Sequence, residues 1–302
     1  RTIDYISKND GVMHACGHDG HMAALLIAAK ILNTTNFKSK LKGSIKFIFQ
    51  PAEEGYAGAK AMLEDGVLDD VDAVYGIHLW SYEPLGVLGV TNGPLMAASD
   101  RFYIDVHGKG GHGAAPQGTV DAIVEASHLI TALQTVVSRN KAPLDDGVIT
   151  CGTIKGGFGY NIIPDKVEIC GTCRTFKPEV QELMKTRMND ICCGIGATFG
   201  GNVEFRYEYG YPPTVNSHPA EVDIVRKAGS KIVDEDRIVP CVTMGAEDFS
   251  FFLQKKPGCF FFVGAALPGE ILPHHKSVFD FDENAMLVSA SVFVQIIEDQ
   301  LC

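Results

Sequence analysis

Three histidines, a cysteine and an aspartate fall within the nine residues MHACGHDGH, at positions 13 to 21. Thiolate, imidazole and carboxylate groups are the ligands that divalent cations of the zinc type accept. Two further pairs of donor groups lie elsewhere in the chain, Glu53 with Glu54 and His274 with His275. A single histidine at a strand end is most often a surface group, so a metal centre requires several of these segments to converge.

Each set of donor groups lies at the start or end of a predicted secondary-structure element. The apolar segment 21 to 32 predicts a buried helix, and the segment 44 to 50 predicts a strand that ends just before Glu53. The segment 72 to 80 predicts a second strand, which carries His78 near its end. Ligands of open α/β sheets gather where strands end at their carboxyl edge, so we expect these donor groups to meet at one edge of a sheet.

Adjacent glutamates allow a division of labour that one carboxylate could not provide. Successive side chains point in different directions, so one carboxylate can bind a cation while its neighbour takes a proton from the attacking water. Two cations roughly 3.5 to 4 Å apart can hold the attacking and departing oxygens of a hydrolysis together. The pair Glu53 and Glu54 therefore predicts general-base hydrolysis assisted by divalent cations.

The pattern of predicted elements changes near Ser99. Helices and strands alternate before this residue, which is typical of an α/β fold. From 99 to 211 the predicted order is β-α-β-β-α-β, that of a ferredoxin-like α+β sandwich, and the α/β pattern then resumes. We therefore expect a catalytic α/β domain with a mixed, largely parallel sheet, formed by residues 1 to 98 and 212 to 302 and interrupted by the inserted domain.

Composition excludes several classes of function. The 302 residues carry a formal net charge of −11 and no run rich in lysine and arginine, which argues against a nucleic-acid partner. No apolar stretch approaches the ~18 residues that span a bilayer, so no membrane partner is expected. The nine cysteines, an odd number without regular spacing, favour a reducing compartment and hence the cytoplasm. Cys170 and Cys173 lie in a predicted strand and face opposite sides of it, so they do not predict a redox or zinc motif.

Seven motifs, in their order along the chain, resemble those of the dinuclear metal-dependent amidohydrolases that act on N-acyl amino acids. That family includes hippurate hydrolases, aminoacylases, acetyl-diaminopimelate deacetylases and plant indole-acetyl-amino-acid hydrolases. The resemblance covers essentially the whole chain and implies two divalent cations (Zn, Mn, Co or Ni) and a small N-acyl amino acid as substrate. The motifs are GVMHACGHDGH, QPAEEG, GIHLW, GKGGHGAAP, NIIPD with GTCRTF, GAEDFSFF and HHKSVFDFDE.

The resemblance also implies a role for nine individual residues. It makes Cys16 a bridging thiolate and Glu53 the general base. It makes His112 the group that polarises the scissile carbonyl. In many relatives this histidine comes from the lid of a partner subunit. The resemblance therefore implies a homodimer formed through a lid and dimerisation domain at 99 to 211. The remaining implied metal ligands are His18, Glu54, His78 and His274, with His275 as the less favoured of its pair. The implied substrate-binding residues are Asn161 for the carbonyl and Arg174 for the free carboxylate.

The sequence departs from the family pattern in two places. Gln117 stands where relatives often carry a histidine, which alters a contact of the lid. Only fifteen residues precede Cys16, whereas relatives have an earlier segment with sheet strands and an acidic D-x-D loop near the metals. The chain is therefore interpreted as a fragment or as a version that lacks part of its sheet. The alternatives to an acyl-amino-acid hydrolase are a dipeptidase or aminopeptidase of the same fold and a non-catalytic metal-binding remnant.

Overall fold

The chain divides into two compact units in a computed structural model that describes residues 3 to 302. The first unit consists of the chain up to Leu95 together with Thr214–Val242 and Asp248–Cys302. The second consists of Met96–Pro213 and the short segment Thr243–Glu247. The first unit is therefore assembled from segments that are far apart in the sequence.

The helices range from single turns to more than twenty residues. A π-helical turn, Val136–Asn140, extends the fifth helix, and two 3-10 turns lie at Pro116–Gly118 and Glu235–Arg237. The α-helices are α1 His18–Leu32, α2 Thr35–Lys38, α3 Glu53–Tyr56, α4 Gly58–Glu64, α5 Ala122–Thr135, α6 Pro178–Phe199, α7 Pro219–Gly229, α8 Ser250–Leu253 and α9 Asn284–Leu301.

The strands form two four-stranded sheets and two small ribbons. They are β1 Val74–Pro84, β2 Leu88–Gly89, β3 Gly93–Met96, β4 Ala98–His107, β5 Gly111–His112, β6 Val148–Gly156, β7 Ile162–Ile163, β8 Lys166–Thr175, β9 Asn202–Tyr211, β10 Thr214–Asn216, β11 Ile238–Val239 and β12 Gly258–Ala266.

The first unit is built on a mixed sheet with the strand order β1-β12-β2-β11. The pairs β1 with β12 and β2 with β11 are parallel, and β12 with β2 is antiparallel. Strand β12 is buried along almost its whole length because it lies inside the sheet and is apolar on both faces. Its Phe261 shares a core with Val225 of α7 and Val292 of α9. Helices packed on a mixed sheet confirm the predicted α/β class.

The second unit is built on an antiparallel sheet with the order β6-β8-β4-β9. Its long elements follow one another as β4, α5, β6, β8, α6 and β9. Alternate residues of β4, such as Phe102 and Ile104, face a core that includes Leu129 of α5 and Met184 of α6. The opposite face of this sheet is polar and half-buried, and it carries Asp105.

The predicted strand at 44 to 50 is wrong. The structure assigns no strand to this segment, and its last residue is held by a side chain instead, because the Gln50 amide donates to Asp248. An apolar, β-branched segment becomes a strand only where a neighbouring strand completes its hydrogen bonds. No described strand pairs with residues 44 to 50.

Helix α1 is less buried than predicted. It begins at His18, three residues before the predicted start, and buries one stripe that includes Ala24 and Ala28. Met22 and Leu26 lie on the other side and are exposed. Among residues 3 to 302, no helix has the length and hydropathy needed to cross a membrane.

Two buried carboxyl groups of the second unit differ in their hydrogen bonding. Asp100 accepts hydrogen bonds from the Gln181 amide, the Tyr207 hydroxyl and the Gly210 N–H. Glu125 of α5 is fully buried, and neither of its carboxyl oxygens has a hydrogen-bond partner among the described residues. Burial raises the pKa of Glu125, because the charged form loses its hydration without gaining a partner.

Replacing Glu125 by glutamine is expected to stabilise the protein at pH 8. A carboxyl group whose pKa is higher in the folded than in the unfolded state contributes stability at pH values below the unfolded pKa of ~4.3. This stability is lost as the pH rises through the folded pKa. The free energy of unfolding of the Glu125→Gln variant should therefore exceed that of the parent by about 1 kcal/mol at pH 8, and this difference should shrink toward pH 4. Urea unfolding at several pH values measures this, with Glu179→Gln, an exposed glutamate of α6, as the control. A variant less stable than the parent at pH 8 would contradict the assignment.

Candidate metal centre

The first donor groups are set by the turn that leads into α1. Gly17 has a φ of 93°, a left-handed conformation that glycine adopts without strain, and α1 begins at the next residue. Cys16 and His18 stand on either side of this turn. The Cys16 Sγ lies 3.4 Å from the Nε2 of His78, which β1 supplies. Two segments separated by sixty residues of sequence therefore meet here.

The orientation of His78 is fixed by its other ring nitrogen. Nδ1 lies 2.7 Å from the carbonyl oxygen of Leu79, and because a carbonyl only accepts, Nδ1 must carry the proton. The Nε2 lone pair then faces Cys16. Burial lowers the pKa of His78 to about 3, so the ring is neutral at physiological pH. A neutral imidazole whose far N–H is held by a carbonyl has the usual arrangement of a metal ligand.

The paired glutamates lie on a tightly wound turn. Ala52, Gly55 and Ala57 all have positive φ values, of 62°, 86° and 54°. The turn closes on itself at Gly58, where an added Cβ would lie only 1.7 Å from the carbonyl oxygen of Pro51. Left-handed alanines cost free energy, so the surrounding structure must hold this conformation.

Glu53 and Glu54 point from this turn toward different histidines. Glu53 Oε2 lies 3.7 Å from His18 Nε2, and Glu54 Oε1 lies 3.2 Å from His275 Nε2. Burial, together with the nearby charges of Glu54 and Asp248, raises the pKa of Glu53 to about 8. The two neighbours therefore differ in environment, as the division of labour between them requires.

Asp248 is a residue that sequence reasoning missed. Its buried carboxylate accepts hydrogen bonds from the Gln50 amide at 2.6 Å and from the Ala59 N–H at 2.9 Å. It thereby holds both ends of the turn that carries Glu53 and Glu54, called the glutamate turn below. The GAEDFSFF motif marked this region, but only the fold shows that its aspartate reaches a turn almost two hundred residues earlier.

Replacing Asp248 by alanine is expected to loosen the glutamate turn. Two buried donors would lose their acceptor, which costs about 2 kcal/mol or more of unfolding free energy. Asp248→Asn should lose less, because its amide oxygen can still accept one of the two bonds. Urea unfolding measures both variants, and Asp223→Ala, at an exposed position of α7, is the control. Equal stability of Asp248→Ala and its parent would refute this role.

The structure places His275 among the clustered donor atoms, whereas the predicted ligand His274 lies beside them, with its ring 5.3 Å from that of His78 and its Nδ1 buried without a hydrogen-bond partner among the described residues. The His274 Nε2 accepts the backbone N–H of Ser81 at 3.2 Å, and its ring stacks on Trp80 with 4.9 Å between centroids. His275 has a φ of 62°, and its backbone N–H donates to Ala15, next to Cys16. This local backbone conformation separates two adjacent rings that the sequence could not distinguish.

The alanine variants of His274 and His275 are expected to differ in metal binding and in stability. His275→Ala should weaken cation binding at least ~10-fold, since loss of supporting groups beyond the direct ligands already costs that much. His274→Ala should retain its metal and lose stability instead, because the Ser81 N–H loses its acceptor. Elemental analysis after dialysis decides between them. Metal loss in His274→Ala, with full metal content in His275→Ala, would make His274 the ligand, as the sequence motifs imply.

Two groups of donor atoms in this centre share Cys16. In each group the ligand atoms all lie within 4.8 Å of one another. The first group is Cys16, His18 and His78, and the second is Cys16, Glu54 and His275. A thiolate, neutral imidazoles and a carboxylate form the donor set that zinc-type cations prefer, so these residues fit a pair of divalent cations with one common sulfur ligand.

The remaining predicted site residues belong to the second unit, where they fall into two places. His112 of β5 pairs with Ile162 of β7, and the Gly113 N–H donates to the Asn161 carbonyl at 2.8 Å, so His112 and Asn161 are neighbours. Arg174 lies near the far end of β8. It stands eight residues beyond Lys166, the first residue of that strand, which is about 26 Å along a β-strand.

Comparison with known proteins identifies the family of the chain. Residues 2 to 299 match the family described as peptidase family M20/M25/M40. The N-acetyl-L-cysteine deacetylase of Bacillus subtilis is 44% identical over 292 residues, which cover 97% of this chain and 68% of that protein. Thermostable carboxypeptidase 2 of Saccharolobus solfataricus is 43% identical over 293 residues, which cover 95% of this chain and 73% of that protein.

A solved structure of an M20-family protein is also similar to this chain. A Bacillus subtilis protein described as a dinuclear metal binding peptidase from the M20 family has a TM-score of 0.80 and 34% identity, over 98% of this chain and 75% of that one. The resemblance seen in the sequence motifs is confirmed, and the chain belongs to the peptidase family M20/M25/M40.

Proposed function

We propose that the protein is a metal-dependent amidohydrolase that cleaves the amide bond of an N-acyl amino acid. The products are a carboxylic acid and a free amino acid. The observation that carries the proposal is the convergence of two donor groups on one thiolate, beside a half-buried carboxyl group with a raised pKa. The 44% identical relative is named as a deacetylase of N-acetyl-L-cysteine, which is an N-acyl amino acid.

In this proposal Cys16 would be a ligand common to two divalent cations of zinc, manganese, cobalt or nickel. His18 and His78 would be the other ligands of one cation, and Glu54 and His275 those of the other. When bound, the cations act as Lewis acids that activate water and polarise the scissile carbonyl. The residues themselves supply a neutral imidazole at His78 and a left-handed turn at Gly17, on either side of which Cys16 and His18 stand.

Glu53 is the general base of the proposed reaction. It belongs to neither donor group that contains Cys16, and its Oε2 lies 3.7 Å from the Nε2 of His18, a member of one of those groups. A pKa near the working pH suits a group that first accepts a proton from water and later gives one to the leaving amine. Asp248 acts as a positioning residue, because it fixes the turn on which Glu53 stands.

Substrate binding is proposed to need two copies of the chain. His112 would polarise the scissile carbonyl, Asn161 would hold it, and the guanidinium fork of Arg174 would bind the free carboxylate. Arg174 stands eight residues beyond the start of β8, whereas His112 and Asn161 lie at the β5–β7 ribbon that precedes this strand. We therefore propose a homodimer in which residues 99 to 211 form the lid and dimerisation domain, with His112 of the partner subunit completing each site. All nine cysteines are free, which suits the proposed cytoplasmic location.

A substrate panel tests the proposed reaction. Hydrolysis of hippurate, acetyl-methionine or N-acetyl-cysteine by the metal-loaded protein, with little action on unblocked dipeptides, is the expected result. The 43% identical carboxypeptidase favours a second candidate, a peptidase that also acts beside a free carboxylate. Preference for peptides would select that candidate. No hydrolysis of either class by a metal-loaded dimer would indicate a non-catalytic metal-binding remnant.

A further inference from the structure

A second cluster of possible metal ligands lies outside the centre described above, on the polar face of the second unit's sheet. Asp105 and His107 stand two residues apart on β4 and therefore point to the same face. Glu204 of β9 is paired directly opposite Asp105. One ligand atom from each of the three side chains lies within 4.8 Å of the other two.

The cluster itself contains two carboxylates and no lysine or arginine. Carboxylates directly opposite each other on neighbouring strands repel, which destabilises the sheet. His107 Nε2 lies 3.7 Å from Glu204 Oε1, too far for a hydrogen bond, and this nitrogen is buried from solvent with no hydrogen-bond partner among the described residues. A buried ring nitrogen and two carboxylates thus face one another, and the only side-chain donor that the described residues give Glu204 is the Asn202 amide, 3.5 Å from Oε1.

The nearest lysine neutralises only one side of the cluster. Lys166 Nζ lies 3.0 Å from Asp105 Oδ1 and 2.8 Å from Glu168 Oε1, so it bridges those two carboxylates. Within residues 3 to 302, Glu204 has no lysine or arginine within ion-pair distance. The side of Asp105 that faces His107 and Glu204 is therefore where an added cation would be stabilised most.

We propose that Asp105, His107 and Glu204 form a separate binding site for a divalent cation of the zinc type. One imidazole and two carboxylates favour zinc, cobalt or nickel over calcium and magnesium, which prefer oxygen ligands alone. An open groove of about 440 Å³, lined in part by Asp105, Glu204 and Tyr103, leaves room for water molecules to complete the coordination. The site is independent of the proposed amide hydrolysis.

Zinc stoichiometry measured on the full chain tests this site. After equilibrium dialysis against micromolar zinc, His107→Ala is expected to hold one zinc equivalent fewer per chain than the parent. Glu204→Gln is expected to bind that zinc ~10-fold or more weakly, as even groups beyond the direct ligands cost this much. Glu168→Gln is the matched control, because it removes the same charge from the same face without removing a ligand. It should keep the full zinc content.

The result that would overturn the proposal is equal zinc content in the parent, His107→Ala and Glu204→Gln. Equal weakening by Glu204→Gln and Glu168→Gln would also overturn it, because zinc would then respond to surface charge alone. Lys166→Met should tighten zinc binding by freeing Asp105, and weaker binding would exclude Asp105 as a ligand. Circular dichroism melting of each variant shows whether it is folded, and zinc content is compared only between folded proteins.

Discussion

Replacing Glu53 by glutamine is expected to lower kcat by about 10²- to 10⁴-fold, the usual contribution of a general base. Glutamine has nearly the same shape but cannot accept the proton of the attacking water. The change leaves Cys16, His18, His78, Glu54 and His275 in place, so the metal content should stay at the parental value. Steady-state kinetics with an N-acyl amino acid, alongside elemental analysis, separates these two effects.

The matched control for this prediction is Glu64→Gln. Glu64 is an exposed glutamate at the end of α4, on the same segment of chain, and its replacement should change neither kcat nor metal content. Parental turnover in Glu53→Gln would remove Glu53 from the reaction. Loss of metal from Glu53→Gln would instead make Glu53 a ligand, as its place beside His18 and Glu54 would allow.

Replacing Cys16 by alanine is expected to remove both cations rather than one. Cys16 is the only residue that the two donor groups have in common, so its loss leaves each group with two protein ligands. Zinc sites in proteins need at least three such ligands to hold the metal firmly. Metal content should fall from two equivalents to less than one, and turnover should fall with it.

Cys193→Ala provides the control, since Cys193 is an exposed cysteine of α6. It should retain both cations and full turnover. Two equivalents of metal in Cys16→Ala would reject the bridging role. One retained equivalent would assign Cys16 to a single cation, and the group that kept its metal would show which one.

Much of the centre could be predicted because its ligands are chemically distinctive and lie at the ends of regular elements. Residue types and predicted element ends mark the segments that contain Cys16, His18, Glu54 and His78, the motif resemblance implies these four as ligands, and the structure brings them together. The α/β class followed from the alternation of helices and strands, which reflects how each element must bury its apolar face.

Other features depend on backbone conformation or long-range contacts that residue types do not encode. The choice between His274 and His275 rests on one left-handed φ and on a backbone N–H from β1. The role of Asp248 rests on a contact with Gln50 across the fold. The segment 44 to 50 has the composition of a strand, but a strand also needs a partner, and composition does not supply one.

The cluster of Asp105, His107 and Glu204 illustrates the same limit. Asp105 and His107 could be placed on one face from their spacing in β4, but Glu204 meets them only through the register of β4 with β9. A shift of one residue would turn Glu204 to the core side of the sheet. Register was therefore the information that the sequence lacked.

An anomalous difference map tests most directly whether Cys16 joins two cation sites. Crystals of the zinc-loaded protein, measured at the zinc absorption edge, should show two peaks roughly 4 Å apart at this centre. The Cys16 Sγ should lie about 2.3 Å from both peaks. A single peak, or two peaks that Cys16 does not contact, would contradict the shared thiolate and the mechanism built on it.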